Sequence, residues 1–99
     1  MTVNIHSVRF DADNKLRDHI QRKLAKLATY HDRIIKVDVF LKLDNVVHQI
    51  KDKIAEIKVS IPRNELFVKS SSKSFEASFD EAFDSICTQI IRKKEKLVV

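Results

Sequence analysis

The chain has 99 residues, enough for one small core that buries roughly two-thirds of the surface its unfolded form exposes. It holds no glycine and one proline, which excludes Gly-rich phosphate loops, dinucleotide fingerprints, GxSxG nucleophile elbows, EF-hand loops and the glycine-bearing motifs of KH and RRM domains. A lone cysteine, Cys87, excludes an internal disulfide and a cysteine-based zinc site, while 19 Lys plus Arg against 14 Asp plus Glu, net +5, is compatible with a polyanionic partner.

No repeat or linker divides the chain, so residues 1–99 read as a single domain. Its longest apolar runs are about three residues, as in Val39-Phe40-Leu41, too short to span a membrane, and the start Met1-Thr2-Val3-Asn4-Ile5-His6 lacks the basic and apolar regions of a secretory signal. The expected compartment is the cytoplasm.

Val3 and Ile5 alternate with Asn4 and His6 as a short first strand. Asp11 or Asp13 then offers an N-cap to a helix on which Leu16, Ile20, Leu24 and Leu27 recur. This helix should run about five turns, at 3.6 residues each, to Tyr30-His31-Asp32. In a second strand Ile35, Val37, Val39, Leu41 and Leu43 share one face, and Lys36, Asp38, Phe40 and Lys42 the other. Asp44-Asn45 opens a hairpin loop that reaches about Gln49. A third strand sets Ala55, Ile57, Val59 and Ile61 opposite Ile54, Glu56, Lys58 and Ser60. One apolar face and one largely polar face per strand describe a sheet covered on one side. Ile61-Pro62-Arg63-Asn64 reads as a tight turn, with Asn45 and Asn64 at the positions expected to take positive φ. A fourth strand runs from Leu66 to about Ser71. Ser74 can cap a last helix with Phe75, Phe79, Ala82, Phe83, Ile86, Ile90 and Leu97 on one stripe. The fold class is α+β, in the order β-α-β-β-β-α: a four-stranded sheet with two roughly parallel helices on one face. Strands one and two should be parallel through a right-handed crossover.

Both helices begin acidic and end basic. The first opens with Asp11, Asp13 and Asp18 and carries Arg22, Lys23 and Lys26; the last opens with Glu76, Asp80, Glu81 and Asp84 and closes with Arg92, Lys93, Lys94 and Lys96. Dipole complementarity, about 0.3–1 kcal/mol per charge, explains either gradient alone. The topology adds that both helices run the same way, so their basic ends should meet at one end of the domain as one patch. Lys15, Arg22 and Lys26 fall on one line, roughly 135° from the buried stripe at 100° per residue. Arg92 points away from its own stripe, and Lys96 lies to one flank. Such a patch neutralises phosphates and binds in a salt-sensitive way. With no tryptophan and only Tyr30 as tyrosine, a base-stacking platform has little support, although Phe40 and Phe67 fall on the open sheet face. Recognition of folded, double-helical RNA by backbone and shape fits better.

The chemistry-bearing residues do not assemble into an active site. His6, His19, His31 and His48 show no metal-binding spacing. His31, at a helix end, is expected to satisfy terminal carbonyls, and Cys87 to pack beside the apolar stripe. Glu76, Asp80 and Asp84 share i, i+4 spacing and read as a solvated helix start rather than a metal site. Ser70-Ser71-Ser72 reads as plain surface. The expectation is a non-enzyme without cofactor, metal, membrane contact or small-molecule substrate.

The residues Leu16-Arg17-Asp18, Lys23, Lys26-Leu27, Asp32-Arg33-Ile34, Val37, Val39 and Leu41-Lys42 resemble a known family. The likeness resumes at Ala77, Asp80, Asp84, Gln89 and Lys94-Glu95-Lys96-Leu97. As a set they are similar to the short form of the ribosome hibernation promoting factors, related to the ribosome-associated inhibitor and the sigma-54 modulation proteins. The resemblance implies a fold like that of double-stranded-RNA-binding domains. It also implies binding to the small ribosomal subunit at the decoding centre, where mRNA and tRNA would sit, so that translation stops and idle ribosomes are preserved. A second hibernation factor is the companion it implies for ribosome dimers. It further implies that Lys23, Lys26, Lys94 and Lys96 contact rRNA phosphates; Arg22, Arg92 and Lys93 join them by helical geometry. Thr88 stands where the family usually has a basic residue, and Glu81 where it usually has glycine. The acidic start of the last helix departs from ordinary double-stranded-RNA-binding domains. The ending just past that helix implies that the long form's dimerisation domain is missing. Two other readings compete: a general structured-RNA-binding module of similar fold, and a small enzyme or metabolite binder using the open sheet face.

Overall fold

The computed structural model describes the backbone of residues 1–8, 10–45 and 51–97, and the side chains of 1–8, 10–43 and 53–92. Period-two alternation builds a sheet of β1 (Thr2–Val8), β2 (Lys36–Asn45), β3 (Lys51–Ile61) and β4 (Asn64–Ser72), in the spatial order β1-β2-β3-β4. β1 pairs parallel with β2, and the β2–β3 and β3–β4 pairs are antiparallel, so β4 runs with β1 and β2. The register lines Val37 up with Val59 and Val39 with Ile57, then Val59 with Leu66 and Ile57 with Val68. One face is thereby apolar, and it is covered by α1 (Asn14–Ala25), α2 (Leu27–Tyr30) and α3 (Phe75–Leu97). Ile20, Leu24 and Leu27 meet Phe79, Ala82, Ile86 and Ile90 over Val37, Val39, Leu41, Ala55, Ile57 and Val59, all fully buried. The expected order and the parallel first pair are present.

Local chemistry fixes the helix starts. Asp13, not Asp11, caps α1: its carboxylate accepts from the Leu16 N–H at 2.8 Å. Ser74 caps α3 by accepting from the Ala77 N–H at 3.1 Å. The fully buried Ser78 hydroxyl lies within hydrogen-bond reach of the Ser74 carbonyl and of the Lys53 carbonyl on β3, tying this helix start to the sheet. Phe10 stacks on Phe75 with ring centroids 4.5 Å apart, closing the core at the same end.

Several expectations need correction. The first helix is not continuous to Tyr30-His31-Asp32. It is interrupted at Lys26, whose N–H bonds the Lys23 carbonyl three residues back, and α2 continues from Leu27. The Thr29 hydroxyl donates to the Lys26 carbonyl at 2.6 Å, holding that tightened turn. His31 is buried, but its ring does not serve helix carbonyls: Nδ1 accepts from the Arg33 N–H at 3.0 Å and turns the chain towards β2. Ile35 does not join the buried face; it precedes β2 and is 58% exposed, beyond the cover of the helices. Ile54 faces the polar side by register, yet is buried between its partners Lys42 and Ser71. Positive φ falls on Arg63 (65°), not on Asn64. Pro62 suits the second position of the turn, and φ of 65° at Arg63 is the left-handed conformation that a type II turn takes at its third. Asn64 instead pairs with Ile61 and accepts from the Glu65 N–H. Asp44 and Asn45 do not open the hairpin loop: both still pair with β3, at Asp52 and Lys51, and Asn45 does not take positive φ. The loop itself, through Gln49, lies outside the described residues, as does the Leu97 side chain.

Candidate nucleic-acid interface

Leu16, Ile20 and Leu24 turn one side of α1 to the core, and Lys15, Arg22 and Lys26 lie exposed on the other. Asp18 is the nearest anchor of this ridge: the Arg22 Nε donates to its backbone carbonyl at 3.4 Å, leaving the rest of the guanidinium outward. Lys15, Arg22 and Lys26 make no ion pair to a carboxylate among the described residues. An open notch beside the ridge is lined by His19, Arg22, Lys23 and Lys26.

Lys23 is different. Its Nζ lies 2.9 Å from Asp80 Oδ1 on α3, and 5.5 Å from the centroid of the Phe83 ring. His19 Nε2 reaches the same Asp80 oxygen at 2.7 Å, and the His19 ring sits edge-on to Phe79. Burial pushes the Asp80 carboxyl up. The hydrogen bonds from Lys23 and His19 and their positive charges outweigh that and hold it below the usual carboxylate range. Asp80 therefore stays ionised and draws Lys23 down between the helices. The sequence places Asp80 at an acidic helix start and among the residues that carry the resemblance, and it gives His19 no role beyond lacking metal-binding spacing. The packing of α1 on α3 joins them.

The pairs His19–Phe79 and Lys23–Phe83 show that α1 and α3 run side by side in the same direction. They also correct the expected meeting of the two basic ends. The basic turn of α1 lies beside the first half of α3, and Arg92, twelve residues past Asp80, is about 18 Å further along the axis at 1.5 Å per residue. The reason is length: α3 has 23 residues and α1 has 12. Arg92 is exposed. Lys93, Lys94 and Lys96 belong to the last turns of α3, and their side chains lie outside the described residues. The basic residues thus follow the long direction of the helical face instead of clustering at one end.

The uncovered sheet face carries charge of a different kind. Lys42 lies 3.0 Å from Glu56, Lys58 3.2 Å from Glu65, and Lys36 3.5 Å from Asp38. The buried Asp38 also receives Asn4 and His6. Burial raises its carboxyl, but His6, Asn4 and Lys36 together hold it below the ordinary value. His6 stacks on Phe40 at 4.8 Å, and Phe67 is 53% exposed. This mostly paired, polar surface counts against the metabolite-binding reading.

Other candidate chemistry stays dispersed. Cys87 is partly buried against the core; burial and Asp84 raise its thiol, with Lys23 opposing them. Among the described residues no three His, Cys, Asp or Glu side chains gather as metal ligands, and no helix is long and apolar enough to cross a membrane.

The chain is similar in sequence and fold to known proteins. The chain is 30% identical over 98 residues to the ribosome hibernation promoting factor of Azotobacter vinelandii, covering 99% of this chain and 87% of that one. It is 29% identical over 97 residues to the protein of the same name from Salmonella typhimurium, covering 98% and 97%. Among solved structures it superposes on the Thermus thermophilus Protein Y N-terminal domain with a TM-score of 0.80 at 28% identity, covering 93% and 98%. It shares its fold with a ribosomal subunit interface protein from Coxiella burnetii, at a TM-score of 0.83 and 18% identity, covering 96% and 99%. The family model described as "Sigma 54 modulation protein / S30EA ribosomal protein" matches residues 3–98, and the chain belongs to that family.

Proposed function

We propose that this chain is a cytoplasmic, non-enzymatic ribosome-binding inhibitor. It lays its basic helical face on rRNA phosphates of the small ribosomal subunit and occupies the decoding region. By occupancy alone it excludes mRNA and tRNA, and so promotes hibernation. Where ribosomes dimerise, a second hibernation factor acts beside it. The observation that carries this reading is the solvent-facing ridge of Lys15, Arg22 and Lys26, without ion pairs among the described residues, in a family whose relatives are named for ribosome hibernation. Arg92, Lys93, Lys94 and Lys96 extend the contact along α3, and Lys23 supplies the cation nearest the interhelical groove. Cations free of carboxylates release the most counter-ions when they meet phosphate, so binding is salt-dependent.

The test reverses four of these charges together: Arg22→Glu, Lys26→Glu, Lys94→Glu and Lys96→Glu. The variant should melt close to wild type, because Arg22 and Lys26 are exposed, and should no longer pellet with ribosomes. Wild-type-like co-sedimentation would defeat the proposal. Equal affinity of the wild-type chain for random duplex RNA and for small subunits would replace it with a general structured-RNA module.

A further inference from the structure

We propose that Asp80 acts as an internal stand-in for phosphate, holding Lys23 in the free chain and so limiting how tightly the α1 notch takes a phosphodiester backbone. This rests on the reading that the helical face binds RNA. The Asp80 Oδ1 lies 2.9 Å from Lys23 Nζ and 2.7 Å from His19 Nε2, the positions a phosphate oxygen would take on the same donors. The pair is not sealed: the Lys23 side chain is 28% exposed and that of Asp80 38%, so an incoming phosphate can reach both. The notch beside them is lined by His19, Arg22, Lys23 and Lys26, and two of these, His19 and Lys23, are the residues that Asp80 of α3 holds. A phosphate on Lys23 must share that ammonium with a carboxylate already within hydrogen-bond distance, and it meets a like charge behind it. Lys23 therefore contributes less than one full phosphate contact, while Arg22 and Lys26 contribute theirs.

The experiment measures binding of a short RNA duplex to the full chain across a KCl series. Four variants are compared with wild type: Asp80→Asn, Lys23→Gln, the pair combined, and Asp84→Asn. Asp84 is the control: exposed, one turn further along α3, and without an ion pair among the described residues. Asp80→Asn should tighten binding about eightfold at 0.1 M salt and steepen the log–log salt slope by about 0.9, as one added phosphate contact does. Asp84→Asn should change affinity less than about twofold at an unchanged slope, because an exposed carboxylate that holds no cation among the described residues acts only weakly through water. Lys23→Gln should leave the slope nearly at its wild-type value, and in the Asp80→Asn background should abolish the whole gain. This Lys23 arm tests the claim even if Asp80→Asn folds poorly, which thermal melts monitor. Weaker or unchanged binding of a folded Asp80→Asn chain overturns the proposal. So do equal gains from both Asn variants, a gain that survives loss of Lys23, or a full unit lost from the slope with Lys23→Gln alone. Because the probe is an RNA duplex, a wild-type chain that fails to pellet with ribosomes removes the hibernation reading and leaves this test intact.

Discussion

The helical face and the open sheet face both carry lysines, and they use them differently. On the sheet, Lys42, Lys58 and Lys36 each meet a carboxylate, because cross-strand and same-face neighbours stand at fixed spacing, and Lys69 is the exception, exposed without an ion pair among the described residues. On α1, Lys15, Arg22 and Lys26 follow one line of a helix whose acids lie towards its start, so no carboxylate of the described residues meets them. Net charge alone does not separate these surfaces. What separates them is whether each cation is already matched, and that decides how much a phosphate gains by arriving. Lys23 stands between the two cases, a helical lysine matched across an interhelical contact.

The largest test of this contrast removes the packing that positions the helical face. Phe79 is fully buried and lies under His19, so Phe79→Ala should cost about 3–5 kcal/mol in chemical denaturation. It should also weaken RNA binding through loosened α1–α3 contacts. An intermediate test compares neutralised pairs of cations. Arg22→Gln with Lys26→Gln should weaken subunit binding about 60-fold at 0.1 M salt, two lost phosphate contacts. Lys42→Gln with Lys58→Gln should change it less than about threefold and cost stability no more than about 2 kcal/mol, as exposed ion pairs do. Equal losses from the two pairs would erase the distinction between the faces. The smallest effect concerns acid. The Asp38 carboxyl lies below its ordinary 3.8 in the folded chain, so its contribution is present above that value and lost as pH falls through the folded value. Urea unfolding should find Asp38→Asn less stable than wild type at pH 7, with the gap closing only as pH falls below the ordinary 3.8 and through the folded value. A gap that stays constant with pH would remove the charged network from the account of the sheet face.

Much of this was legible in the sequence. Alternation in β2 and β3 predicts which side of the sheet is apolar, and Ser74 marks the start of α3 through its hydroxyl. The exposed line of Lys15, Arg22 and Lys26 follows from helix geometry alone. The rest depended on relations that local patterns do not carry. The match of Lys23 with Asp80 needs the register of α1 against α3, which tertiary packing sets. The stagger of the basic ends follows from the unequal helix lengths once Lys23 is placed beside Phe83. Positive φ falls on Arg63 because Ile61 and Asn64 are the paired residues that flank the turn, leaving Pro62 and Arg63 as its central positions, and Asn64 therefore lies outside the place where its tolerance for that conformation would count. The His31 ring is committed to a backbone N–H two residues on, a choice that spacing does not reveal.

The central claim is that unmatched cations of the helical face grip rRNA phosphates. Its most direct measurement is co-sedimentation of the wild-type chain with small ribosomal subunits across a salt series, beside the chain carrying Glu at positions 22, 26, 94 and 96. The account predicts that log affinity of the wild type falls linearly with log salt, with a slope of several units, and that the variant stays in the supernatant throughout. A flat salt dependence, or a variant that pellets like the wild type, would contradict it.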